Sequence, residues 1–239
     1  MTEEIKGNST AVEEYFDYII EVMRKNEGFL RKNAKETYDE VVELINDAID
    51  NVVLAVKKSE EDYVKYSMIS FLHHILMPFS YGIYVDMLAG NIPVCFMELR
   101  LMLESLVKSY LADSRYPDPP FFQERLESLE QEINKEKKSI SDLMEELGEK
   151  LGVKKDFVAL WGKLSHDWVH TKGIMDKVVA QVTEKSDVPP WALAIPMTYA
   201  ENDLDTIDEL RNRISKFRSL LTAAMGRYQQ EGTHENKGQ

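Results

Sequence analysis

A single cysteine, Cys95, in a chain of 239 residues excludes an intramolecular disulfide framework. It sits in an apolar run, where it reads as a small buried hydrophobe in a reducing compartment, and a cytoplasmic location is the expectation. Glycine and proline are scarce, at 11 and 8 residues, and no segment joins strict alternation to β-branched enrichment, which leaves no place for strands. Basic residues are the minority: 29 Lys and Arg face 42 Asp and Glu, a formal charge of −13 that opposes approach to a phosphate backbone unless a local basic face exists. The N-terminus, Met-Thr-Glu-Glu-Ile-Lys, lacks the basic and apolar regions of a secretory signal. Phosphate-binding glycine loops, a serine nucleophile elbow, a Cys/His pair and zinc-ribbon spacings are missing as well.

What is present is apolar content of 44%, enough for a sizeable core, arranged with helical period throughout. The chain reads as one all-α domain over residues 1–239: a bundle of about seven helices with long central antiparallel members, a charged helical arm or insertion at about 121–150 and a frayed tail at 231–239. A first helix opens at the capping-box pattern Thr10-Ala-Val-Glu13 and carries Val12, Tyr15, Phe16, Ile19, Ile20 and Met23 on one side, with Gly28 as its end or interruption. A second spans about 30–56. The third, 60–89, is the most apolar. Its length would suffice to span a bilayer, but His73, His74, Pro78 and Asp86 mark it as a buried bundle helix with a kink at Pro78, and no membrane association is expected.

Asn91-Ile-Pro93 starts a fourth helix, running to about Ala112, with Asn91 as cap. One broad apolar face lies opposite a ladder of Arg100, Glu104 and Lys108 at i, i+4, i+8; with Glu98 these could form a polar site inside the bundle, although the spacing alone accounts for a half-buried ion-pair ladder. Prolines at 117, 119 and 120 break the chain, and a second break spans 171–198, with a short helix expected at about 174–182. A last helix, announced by Thr198-Tyr-Ala-Glu201, shows a 3-4-3-4 seam of Ile207, Leu210, Ile214, Phe217, Leu221, Ala224 and Tyr228, suited to an intramolecular bundle or to a homodimeric coiled coil.

Chemistry concentrates between Trp161 and Gly173. Phe157, Leu160, Trp161, Leu164 and Trp168 make one apolar stripe, while Lys163, His166 and His170 fall on the opposite face. His166 and His170 stand one turn apart, so their imidazoles could share a divalent metal, the one cofactor the sequence admits. His166-Asp-Trp-Val-His170 imitates the zinc-hydrolase pattern with Asp in place of the catalytic Glu and without an evident third ligand. A helix dipole also favours two histidines in a last turn before Gly173.

Leu147-Gly148-Glu-Lys-Leu151-Gly152-Val153, followed by Val158 and Trp161, resembles the helix-turn-helix of bacterial and archaeal DNA-binding proteins. That resemblance implies Lys154, Lys155 and Asp156 at the head of a recognition helix, in surroundings that are acidic and poor in base-reading side chains. A longer stretch, Asn91 to Gly173, with Glu98-Leu-Arg100-Leu-Met-Leu-Glu104, a charged insertion, and Leu164-Ser165 before His170, looks like HEPN-type all-α domains. Active members of that family use an Arg with four to six residues between it and a His at the RNA phosphodiester. Here Lys163 precedes His170 with six residues between them, and no arginine fills the window. The resemblance therefore implies an interaction module, acting through a protein partner or self-association, without an intact nuclease motif. An RNA-cleaving or metal-dependent hydrolase built on Lys163, His166 and His170, supported by Arg100 and Glu104, is the enzymatic alternative; a helix-turn-helix regulator is the nucleic-acid alternative.

Overall fold

The computed structural model describes residues 3–56, 60–168 and 197–235, so the short helix expected at 174–182, and His170 with it, lie outside the described residues. Among those residues there is no strand, and nine helices form, two more than the spacing predicts: α1 (Glu3–Asn33), α2 (Lys35–Val56), α3 (Glu60–Lys65), α4 (Ser67–Leu88), α5 (Ile92–Arg115), α6 (Phe122–Glu136), α7 (Ile140–Leu151), α8 (Lys154–Trp168) and α9 (Leu204–Glu235). The extra helices come from two segments that divide. Residues 60–89 split at Tyr66, whose backbone is extended, and residues 121–150 split at Lys137, which turns through the left-handed region at φ 55°.

Several boundaries differ from their sequence signals for local reasons. Gly28 neither ends nor interrupts α1, because Asn26 and Leu30 on either side are buried and hold the helix together; the break falls at Ala34. Pro78 does not break α4. One π-turn over Leu72–Leu76 precedes it, a widening that absorbs the missing proline N–H. Asn91 precedes α5 without capping it: its side-chain amide donates to Asp86 Oδ1 at 2.8 Å. Before α9, a short 3₁₀ turn, Glu201–Asp203, replaces the Thr198 cap, and the Ala200 N–H donates to the Asp203 carboxylate.

α5 is the axis of the bundle. Cys95, Phe96, Leu99, Met102, Leu103, Leu106, Val107 and Tyr110 are fully covered, and α4, α6, α7, α8 and α9 all pack around it. The seam of α9 is spent inside the chain: Ile207, Leu210, Ile214, Phe217, Leu221 and Ala224 are buried against α2, α5 and α8. α6 and α7 lie on α5 through Leu129, Leu143, Met144 and Leu147, and Arg115 of α5 pairs with Glu132 and Glu146 of those two helices. α4 is the one described helix long and apolar enough to cross a bilayer; Ile69, Leu72, Leu76, Ile83 and Met87 instead face the core it shares with α2 and α5.

Two buried polar centres tie this apolar mass together. Asn26 of α1 donates to the carbonyls of Leu88 and Met197, both at 2.7 Å, and accepts from the Tyr199 N–H at 2.9 Å, joining α1, the end of α4 and the strand-like entry to α9. Asp113, near the end of α5, accepts the Ser67 and Met68 N–H groups of α4 at 2.8 and 2.9 Å, and the Tyr228 hydroxyl of α9 at 2.8 Å. Arg125 of α6, 1% exposed, pairs with Asp113 at 3.3 Å and donates to the carbonyls of Pro117 and Pro119. Burial and the Asp113 carboxylate hold the Tyr228 phenol protonated far above its usual range.

Removing one partner of a buried ion pair strands the other charge, whereas removing both does not. Asp113→Ala should therefore cost about 3–5 kcal/mol in urea denaturation, and Asp113→Ala with Arg125→Met should recover part of it. A single-variant cost below about 1 kcal/mol, or a double variant equal to the sum of the singles, would refute this role.

Candidate functional site

The residues singled out by the sequence divide between two places. On α8, Phe157, Leu160, Leu164 and Trp168 are buried, and Trp168 stacks on Phe96 of α5 with ring centres 4.1 Å apart. Lys163 and His166 occupy the exposed face. The His166 side chain is 88% exposed, and its Nδ1 has a carboxylate oxygen of the adjacent Asp167 at 3.7 Å. On α5, Arg100 pairs with Glu104 at 2.8 Å, both side chains about a quarter exposed. The α8 group that reaches this pair is Trp161, whose indole N–H donates to Glu104 Oε1 at 3.0 Å. Trp161 and Lys163 are two residues apart on one helix and hence on nearly opposite sides of it. The structure thus joins Arg100, Glu104 and Trp161, and sets Lys163 and His166 facing away from them. Lys108, the third rung of the ladder, reaches Glu130 of α6 at 3.4 Å instead.

Among the described residues, no three His, Cys, Asp or Glu side chains are grouped to hold a metal ion; His170, the second ligand of the proposed pair, lies outside those residues. The helix-turn-helix spacing does fold as two helices about a tight corner. Gly152 takes φ 74°, and a Cβ on Gly148 would lie 2.5 Å from Lys154 Cα, so small residues are required for α7 and α8 to close. Lys154, which that resemblance would aim at DNA, is held by Glu145 and Glu149.

The most distinctive surface lies between α4 and α5. These helices run antiparallel: Gly82 meets Glu98, and Cys95 Sγ approaches the Ile83 carbonyl at 3.5 Å. A Cβ at Gly82 would come within 2.2 Å of Glu98 Oε1, so the carboxylate occupies the space over the glycine. Tyr81 and Val85 stand one residue before and three after Gly82; Met97 and Leu101 stand likewise about Glu98. With the 3.6-residue period and antiparallel axes, all four turn to the same side of the contact. They are 36–50% exposed and frame Glu98.

Glu98 Oε2 is buried without a hydrogen-bond partner, and burial, with a smaller contribution from the Asp86 charge, pushes its acid up to about 7. Glu98 was legible as a polar residue in an apolar helix. Gly82, Asp86 and the flanking Tyr81 and Val85 were not, because their meaning depends on the register between two helices. At the π-turn, His73 packs on the Tyr63 ring at 4.6 Å with Nε2 unpartnered; burial, then the adjacent His74, lowers its pKa. The α4/α5 face, by contrast, combines apolar surface with a carboxylate whose pKa is pushed up to about 7.

An acid whose pKa is raised in the folded state binds protons more tightly there than when unfolded, so ionising Glu98 costs stability. Unfolding free energy should fall as pH climbs from the ordinary value of 4.5 toward about 7 and flatten beyond. Glu98→Gln should raise stability by roughly 1–2 kcal/mol at pH 8, after allowance for partial exposure, and by much less at pH 5, read by urea denaturation at both. An equal change at the two pH values would rule out this assignment. Comparison of the chain with known protein families, with curated proteins and with solved structures gives no match, which leaves the functional reading to the geometry of the chain itself.

Proposed function

We propose that this protein is a helical interaction module that binds a protein partner on the α4/α5 face. The observation that carries the reading is the group of Tyr81, Val85, Met97 and Leu101, four partly exposed apolar side chains from two adjoining helices, around the Glu98 carboxylate and its unpartnered oxygen. An apolar surface with one under-satisfied acid at its centre matches an amphipathic helix whose apolar stripe is interrupted by a lysine or arginine. The acidic excess of the whole chain adds a long-range attraction for such a basic segment. The weak likeness to HEPN-type domains without their arginine agrees with an interaction role. So do the exposed positions of Lys163 and His166, which lack the carboxylate neighbours on α5 that an acid–base site would use.

The partner is recovered by crosslinking to the full chain in its native cells, then purified and titrated against the parent and against Val85→Glu with Leu101→Glu. Binding should weaken at least about tenfold in the double variant and become weaker with added salt for the parent. Equal affinity for the two proteins would defeat the assignment of this face. Metal-dependent or metal-independent RNA cleavage by the parent, lost on His166→Ala or His170→Ala, would replace the interaction reading with the enzymatic one.

A further inference from the structure

α6 and α7 lie on α5 as a helical hairpin, and the three helices enclose a recess of about 390 Å³. That volume falls within the range of small-molecule sites, about 300–1,000 Å³. Its walls divide by chemistry. Ile133, Ile140 and Leu143 supply aliphatic surface, Leu143 fully covered and the two isoleucines partly buried against the core. Lys108, Glu130 and Asn134 supply the polar side: a cation, an anion and a neutral amide. The turn that closes the hairpin has a defined geometry, since Lys137 takes φ 55° and the Lys138 N–H donates to the Ile133 carbonyl at 3.0 Å. The backbone thereby sets the spacing of Ile133 and Ile140 across the recess.

The polar side is held loosely. Lys108 and Arg115 stand about two turns apart on α5 and so face the same way. Arg115, 19% exposed, is engaged by both Glu132 and Glu146. Lys108 meets one carboxylate, Glu130, at 3.4 Å, and those two side chains are 36% and 59% exposed. An ion pair of that length and exposure adds little to stability and separates at little cost. An ammonium has three donors, and a carboxylate accepts on two oxygens, so both groups keep capacity for a ligand.

We propose that this recess binds a free α-amino acid with a branched aliphatic or aromatic side chain, as the zwitterion. The polar groups select the class. A ligand of one charge meets its own sign on the rim, an anion at Glu130 and a cation at Lys108. An uncharged apolar ligand covers both charges without replacing their hydration. A zwitterion inserts between them. Its carboxylate takes the Lys108 ammonium and the Asn134 amide, and its own ammonium takes Glu130, exchanging one long ion pair for separate charge-assisted hydrogen bonds. An α-amino acid carries its two charges on one carbon, which suits protein groups only 3.4 Å apart. The side chain then falls on Ile133, Ile140 and Leu143, whose aliphatic surface supplies the hydrophobic part of the affinity. This recess is separate from the α4/α5 face, and the two assignments can fail independently.

The test is an NMR titration of the isotopically labelled full chain with leucine, phenylalanine, glycine, N-acetyl-leucine and leucinamide, with circular dichroism of each variant to verify the fold. Leucine or phenylalanine should bind with Kd of about 0.1–1 mM. Glycine lacks the side chain, N-acetyl-leucine the ammonium and leucinamide the carboxylate, and each should bind at least about tenfold more weakly. Lys108→Met should abolish the preference for leucine over leucinamide, and Glu130→Gln the preference for leucine over N-acetyl-leucine. That pairing of variant with analogue reads which charge meets which, and a general loss of structure would not reproduce it. Asn134 is exposed, so Asn134→Trp should keep the helical spectrum while its ring fills the recess and removes binding. No response to leucine or phenylalanine at about 10 mM, an analogue that binds as tightly as leucine, charge variants that leave both preferences intact, or leucine binding that survives Asn134→Trp would overturn the proposal.

Discussion

One buried carboxylate sets the relation among four helices. Asp113 lies near the C-terminal end of α5 and accepts hydrogen bonds from the first two amides of α4, from Tyr228 of α9 and from Arg125 of α6. The amides it takes are those a helix start leaves without intrahelical partners, so the cap and the tertiary contact are the same bond. That is why the apolar segment 60–89 divides at Tyr66. An acidic side chain nearly fifty residues away supplies the cap that the local sequence does not, and the extended backbone at Tyr66 brings Ser67 to it. Apolar packing would tolerate several rotations of these helices about one another, whereas a buried, hydrogen-bonded ion pair tolerates one.

The same logic explains how much could be read from the chain. The all-α class, the central position of the helix after Pro93, the α9 seam and the Phe157–Trp168 stripe follow from period alone, because an apolar residue repeated every three or four positions needs no partner to be recognised. The division of 60–89 and 121–150, the passage of α1 through Gly28, and the π-turn before Pro78 follow from contacts made at long range, which period does not encode. Ladder spacing was a partial guide. Arg100 and Glu104 pair as their i, i+4 positions dictate, but Glu104 also binds Trp161, and Lys108 turns to Glu130 on another helix. For the candidate site, Glu98 was visible as a charge among apolar residues, while the glycine beneath it and the apolar side chains around it were scattered over two helices whose register no local pattern fixes.

The histidine-bearing stretch that first draws the eye behaves differently on its two faces. Its tryptophans fasten α8 to α5, one by stacking on Phe96 and one through Glu104, and this anchoring turns Lys163 and His166 outward. A helix cannot hold both faces against the same neighbour. The stronger the case for Trp161 and Trp168 as packing residues, the further His166 is carried from the carboxylates of α5, which is why dense chemistry in a ten-residue window is a poor guide to a site when it lies on one helix.

Buried and exposed polarity therefore carry separate duties in this bundle. Asp113 and Asn26 have their hydrogen bonds met by backbone amides and carbonyls and by groups from other helices, so each fixes a position and has little left to offer a ligand. Glu98 is the contrary case: desolvated, pressed over Gly82 and short of a partner for one oxygen, it weakens the isolated fold whenever it is ionised. A destabilising charge at the centre of an apolar surface gains from any partner that brings a donor and excludes water. In the complex proposed above, the stability forgone in the free protein would reappear as affinity, the opposite of what Asp113 does, and from the same chemical group.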